Sequence, residues 1–362
     1  MKKYLFPSLY LLVTSLLLAN CIKEIDFQTD VVSDELVVSG FLSDQPGFHK
    51  VRLTRPGNYN RRVFYAVDGA SVQVRDDQGQ VYPYFQDLLP NDSGVYYCNT
   101  IQPQIGGTYT LEIILPNGER FVSTPQTMLP PIAIDSVTAL GGYQEFSTEA
   151  QVVVEERGCK VYAFTTAPIN PDERYLRWES ESVHIFNEIS KIYYSIPPPV
   201  LQCFVTSTTS NQLVAITDPS LFTPGTPIGV QSGWKRIDNA FEHRICFTVY
   251  QRTINKEAYD YWFKVKQLIE MNGSIFDAPP GVVKGNISNI TYTEKSARGF
   301  FEVASVTLAR RYLLNQELGD EFQFTQPYCD YDYRYSPPVN HPECDNCRLI
   351  KNSTTTKPVW WQ

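Results

Sequence analysis

Between Glu35 and Thr127, apolar residues recur at every second position in short runs, and that period admits little besides β-strands. The runs are Leu36–Gly40, His49–Leu53, Ala70–Arg75, Val95–Cys98, Thr108–Ile114 and Arg120–Ser123. Turn-forming stretches separate them: Asp44–Gly47, Asp76–Gly79, Asn91–Gly94 and Pro116–Gly118. Successive side chains of a strand leave opposite faces, so the pattern buries one face and wets the other. About seven strands at this spacing predict a small β-sandwich over 35–127. Composition agrees, because 13% of the 362 residues are aromatic and rings pack well on a pleated face.

The stretch DGASVQVRDDQG, followed by IGGTYTLEI, resembles the central hairpins of transthyretin-like and immunoglobulin-like modules of secreted bacterial proteins. Such modules are scaffolds or docking units, so the likeness implies no catalysis. Pro125–Pro131 reads as a linker. A second, larger β-rich domain over 128–328 follows, with runs such as Lys160–Thr166, Arg174–Glu179, Leu201–Val205 and Arg244–Gln251. It carries one prominent α-helix near 255–271, with Asn255 as cap, Glu257 complementing its positive end and Gly273 closing it. Ala258, Trp262, Val265 and Ile269 share one helix face, and such a stripe is expected to be core rather than the wall of a groove. The chain is thus mainly β, and a cysteine-containing tail over 329–362 is expected to pack on the second domain.

The N-terminus predicts where the protein works. Lys2 and Lys3 precede an apolar stretch from Tyr4 to Leu18, the form of a secretory signal peptide over 1–20. Leu18-Ala19-Asn20-Cys21 resembles a bacterial lipobox, although Asn20 stands where Gly, Ala or Ser is usual. The resemblance makes Cys21 the mature N-terminus, its thiol carrying diacylglycerol. Residues 21–34 would then be a lipid-anchored tether, and Lys23, Glu24 and Asp26 resemble the charged signal for display on the cell exterior. The net charge of −8, without a Lys/Arg cluster, excludes nucleic acid and anionic lipid as partners.

The most specific resemblance runs from Tyr250 to Phe301. YQRTINKEAYDYWFKVKQLIEMNGSIFDAPPGVVKGNISNI, with ARGFFEVASV after it, is similar to the signature block of a Bacteroidetes family, domain of unknown function 4249. The tail, with Cys329, Cys344, Cys347 and TKPVWW, agrees. That resemblance implies an outer-membrane lipoprotein, often encoded beside TonB-dependent transporters, and supplies no catalytic residues. It also implies that Cys203, Cys329, Cys344 and Cys347 are a recurring set able to form two bridges, in any of three connectivities. Cys159 and Cys246, both in predicted strands, would be a further pair, leaving Cys98 free.

Other chemistry is weakly signalled. His341, Cys329, Cys344 and Cys347 have zinc-ligand types, but oxidation outside the cytoplasm favours disulfides, so no metal or cofactor is expected. A redox role for Cys344 and Cys347 lacks the surrounding βαβ pattern. Hydrolase, P-loop and dinucleotide motifs are absent. Glu179, Glu181, Asp330 and Asp332 could supply a glycosidase-like pair, although a solvated acidic surface explains them more simply. Asp135-Ser136-Val137 matches a short O-glycosylation pattern, making Ser136 a candidate acceptor. The functional expectation is a non-catalytic accessory or substrate-binding partner of a TonB-dependent transporter in nutrient uptake, with an unidentified ligand. Its rivals are a structural or adhesive surface protein without a transporter, and a cryptic glycan or peptide hydrolase.

Overall fold

A computed structural model describes residues 35–57, 63–86, 93–147, 152–170, 173–188, 200–209, 213–270, 283–295, 297–325, 328–329 and 341–362. The leader, the lipidation site Cys21 and the tether residues Lys23, Glu24 and Asp26 lie outside them. The first strands are β1 (Val37–Ser43), β2 (His49–Pro56), β3 (Phe64–Ala66), β4 (Ser71–Asp76), β5 (Val81–Gln86), β6 (Val95–Cys98), β7 (Thr108–Ile114), β8 (Arg120–Ser123) and β9 (Gln126–Thr127). Next come β10 (Ser136–Ser147), β11 (Val153–Thr166), β12 (Tyr175–Asn187), β13 (Gln202–Thr208), β14 (Ala215–Thr217), β15 (Pro227–Arg236) and β16 (Ile245–Ile254). Helix α1 (Lys256–Glu270), β17 (Ile287–Asn289), β18 (Arg298–Leu313), the short helix α2 (Pro342–Asp345) and β19 (Ser353–Thr354) complete the order. The fold is mainly β. No helix among the described residues is long and apolar enough to cross a membrane.

One sheet of 16 strands follows the path β17-β8-β7-β4-β5-β6-β2-β1-β18-β16-β12-β13-β19, with β3, β9 and β14 pairing off it to β2, β7 and β12. β5 bends it, pairing its first half with β4 and its last two residues with β6. The sheet therefore doubles back over a core in which Val38 and Leu53 meet Val74, Leu111, Ile113 and Phe121.

This N-terminal module is not confined to 35–127. β17 pairs with β8, and Ile287, Ala297, Phe301 and Val303 enter the same core. β18 runs parallel to β1 through Ala304, then antiparallel to β16 from Ser305. Without it, β1 would be an edge strand with bare N–H and C=O groups. Such long-range pairing leaves no mark in a local period. Two glycines allow the approach: a Cβ on Gly285 would strike the Gly299 carbonyl, and one on Gly299 that of Val38.

β10, β11 and β15 form a separate sheet that packs on β12 and β16 through Val161, Ala163, Trp178, Phe247 and Val249. Gln251 is fully buried between them, and both its side-chain polar atoms are hydrogen-bonded. Its Nε2 donates to the Ile132 carbonyl at 2.7 Å, and its Oε1 accepts from Trp178 Nε1 at 2.8 Å and from Thr165 Oγ1. The expected linker is stapled down as well. Gln126 Nε2 and Thr124 Oγ1 donate to Glu257 of α1, at 2.6 and 2.7 Å.

Asn255 Oδ1 caps α1 by accepting from Ala258 N at 2.9 Å. Ala258 packs with Ile254, Phe300 and Ala304. Trp262 also packs against that cluster, as expected, but it lines a cavity as well, together with Val265 and Ile269, which were expected in the core. The cause is the floor beneath, where the sheet presents Arg177 and Glu302 to Trp262 rather than apolar side chains.

Cys203 bonds Cys347 and Cys329 bonds Cys344, which ties the tail to β13, while Trp361 packs on Phe204 and Tyr312. Cys159 and Cys246 do not pair. Both are buried free thiols, as is Cys98. Cys159 lies in the core between the two sheets, whereas Cys246 leaves the opposite face of β16, beside Val183 and Trp361. Strand assignment alone could not show that their side chains diverge.

Candidate functional site

Arg177, Glu179 and Glu181 alternate along β12, so all three leave the same face of the sheet. On neighbouring β16, Arg252 stands opposite Arg177 and Tyr250 opposite Glu179. Glu302 of β18 reaches the same place. Its side chain is only 4% exposed, and a charge so placed needs partners. Oε1 of Glu302 accepts from Arg177 Nη1 at 3.3 Å and Arg252 Nη1 at 2.9 Å, and Oε2 accepts from Trp262 Nε1 at 2.5 Å.

The same two arginines reach outward to Glu179. Arg177 Nη2 donates to Oε1 and Arg252 Nη2 to Oε2, so neither carboxylate oxygen is left over. Aromatic rings cover the guanidinium planes, Trp262 over Arg177 and Phe41 over Arg252, each 3.7 Å from the ring centre. Burial opposes ionisation of Glu179, but the charges and hydrogen bonds of the two arginines outweigh it and hold the carboxyl below its ordinary range. Two cations and two anions balance.

Above this floor opens a cavity of about 380 Å³. It exists because β14 pairs with β12 only at Leu176–Trp178 and β13 only from Glu181 onward, leaving Glu179 and Ser180 without a strand neighbour on that side. Trp262, Val265 and Ile269 of α1 form one wall, and Leu213 and Val214 face it. The volume suits a small molecule, and the lining sets apolar walls against a polar and charged base. Beside this floor, Tyr250 donates to Glu181 Oε1 at 2.6 Å. Burial, then the hydrogen bond and charge of Glu181, push the Tyr250 phenol well above its ordinary range. Glu181 Oε2 has no hydrogen-bond partner among the described residues.

A second hollow of about 400 Å³ lies on the N-terminal module, between Phe41, Phe48, Lys50, Arg52 and Tyr97. It shares Phe41 with the cluster but has no carboxylate in its lining.

Of the residues singled out in the sequence, the structure brings Glu179 and Glu181 together, while Asp330 and Asp332 lie outside the described residues. Ser136 is exposed at the start of β10, and Asp135 beside it accepts from Thr166 Oγ1 at 2.8 Å. Cys344 and Cys347 bond different partners, so they are not a dithiol pair, and the oxidised sulfurs offer no thiolate to zinc. His341 stacks on Tyr328 instead, 4.5 Å between ring centres. Sequence reasoning missed Arg177, Arg252 and Glu302. The available signals were charges at alternate positions beside Trp178, and an acid inside the apolar run Phe300–Val306.

The profile of a family described as a domain of unknown function (DUF4249) matches residues 22–310, which include every residue lining the cavity. No curated protein matches the chain.

Proposed function

This chain belongs to the DUF4249 family, and we propose that it is a non-catalytic, lipid-anchored protein of the outer-membrane surface. It captures a small ligand for a TonB-dependent transporter. The observation that carries the capture reading is the cavity over a charge-balanced floor. Both oxygens of Glu179 are engaged by arginine and its carboxyl is held below the ordinary range, so near neutral pH it has no proton to give. A floor fixed in this way orients a guest without reacting with it.

The surface location rests on the lipobox-like Leu18–Cys21 and on Lys23, Glu24 and Asp26, and the transporter on the family resemblance. Pull-down of the native lipoprotein from outer membrane solubilised in mild detergent tests the partnership. Recovery of a TonB-dependent transporter in stable proportion is expected. Recovery of the lipoprotein alone contradicts it and favours a structural or adhesive role.

A further inference from the structure

Resting on the capture reading, we propose that the cavity takes a small organic cation, an ammonium group on a compact apolar body, with Glu181 as its counter-ion. Charge and unfilled bonding capacity point to it. Within the lining and its floor, Arg177 and Arg252 are matched by Glu179 and Glu302, which leaves Glu181 as the one carboxylate without a cation among the described residues. Its only hydrogen bond is to the neutral Tyr250 hydroxyl, and that bond fixes the carboxylate through Oε1 while Oε2 remains open.

Nearby cations do not fill the vacancy. Arg310 stacks on Trp360 at 4.3 Å outside the lining, and Lys235 donates to Ser207 and faces Asp238. Of the lining hydroxyls, Ser180 and Thr209 bond each other and Ser180 donates to the Ser232 carbonyl, while Thr208 is exposed. A polyol needs several free partners, whereas an ammonium needs one oriented carboxylate. Its apolar body would lie against Val265, Ile269 and Leu213. An aromatic platform is less available, because Arg177 already covers a face of Trp262.

Thermal-shift and calorimetric titrations of the full chain with n-hexylammonium chloride, hexan-1-ol and sodium hexanoate test this. Saturable binding of the amine alone is expected, weakened about tenfold or more in Glu181→Gln. A second variant, Ile269→Lys, changes an exposed position on the wall and supplies an internal ammonium, so it should compete with the amine while leaving Glu181 intact. Equal response to amine and alcohol, binding unchanged in both variants, or no response to the amine overturns the inference. If a transporter still co-purifies in that case, only the ligand class falls and the capture reading stands.

Discussion

Arg177 lies flat on Trp262, 3.7 Å from the ring centre, while the indole N–H of the same Trp262 bonds Glu302. One helical residue thus covers a buried cation and satisfies its counter-ion, which locks α1 onto β12 and β18. Removing Glu302 should therefore be severe. In Glu302→Ala, Arg177 and Arg252, with side chains 8% and 14% exposed, keep only Glu179 between them. A loss of about 3–5 kcal/mol is expected, read by urea unfolding with the midpoint checked by fluorescence. A loss below about 1 kcal/mol would mean that the network is not sealed as described.

The N-terminal module should not fold by itself. Phe301, fully buried in its core, comes from β18. A fragment ending at Thr127 is expected to show no cooperative unfolding transition. Phe301→Ala in the full chain should cost about 3–5 kcal/mol. A stable, cooperative fragment would refute the shared-strand arrangement.

Thiol counting tests the cysteine assignments and the lipid together. Cys98, Cys159 and Cys246 are buried, and burial pushes the Cys159 thiol up to about 12 and that of Cys246 to about 11. A thiol reagent at pH 8 should find the native protein unreactive. Unfolding the membrane-derived protein without reductant should release those three thiols and no fourth if, as proposed, the Cys21 sulfur carries the lipid. A fourth thiol counts against lipidation, and peptide mapping should return Cys203–Cys347 and Cys329–Cys344.

Stability should fall in mild acid. His184 is buried with Nδ1 unpartnered, and burial, then the charges of Lys235 and His243, lower its pKa to about 3 from an ordinary 6.5. Between those values the unfolded chain binds a proton that the folded chain does not. Its contribution is therefore full above about pH 6.5 and drains away toward pH 3, on the order of 2 kcal/mol between pH 7 and 5. Burial lowers His49 as well and adds to the same slope. Glu179, also held low, adds a loss only below the ordinary carboxylate range. Chemical unfolding at pH 7 and 5 should show a smaller difference in His184→Asn; an equal difference contradicts the assignment.

The strands of the N-terminal module could be read from the sequence because each buries one face, as Tyr109, Leu111 and Ile113 do on β7. The helix could be read for a similar reason, since Asn255 and Ala258 are local signals. Its wall-forming half was misread because Val265 and Ile269 look identical whether the surface opposite is apolar or open. Glu302 sits between Phe301 and Val303, and only the meeting of three distant strands shows why a charge is tolerated there. Cysteine pairing was hidden for the same reason: Cys246 and Cys159 share strand context, and the face each leaves by is set by tertiary packing.

The central claim is capture without turnover. Equilibrium dialysis of the full chain against a digest of the native growth medium, with mass spectrometry of both chambers, tests it most directly. One small species should accumulate with the wild type, at unchanged mass, and fail to accumulate with Val265→Trp, which places a larger side chain in the cavity wall. No enrichment by either protein, or the appearance of a cleaved product, would contradict it.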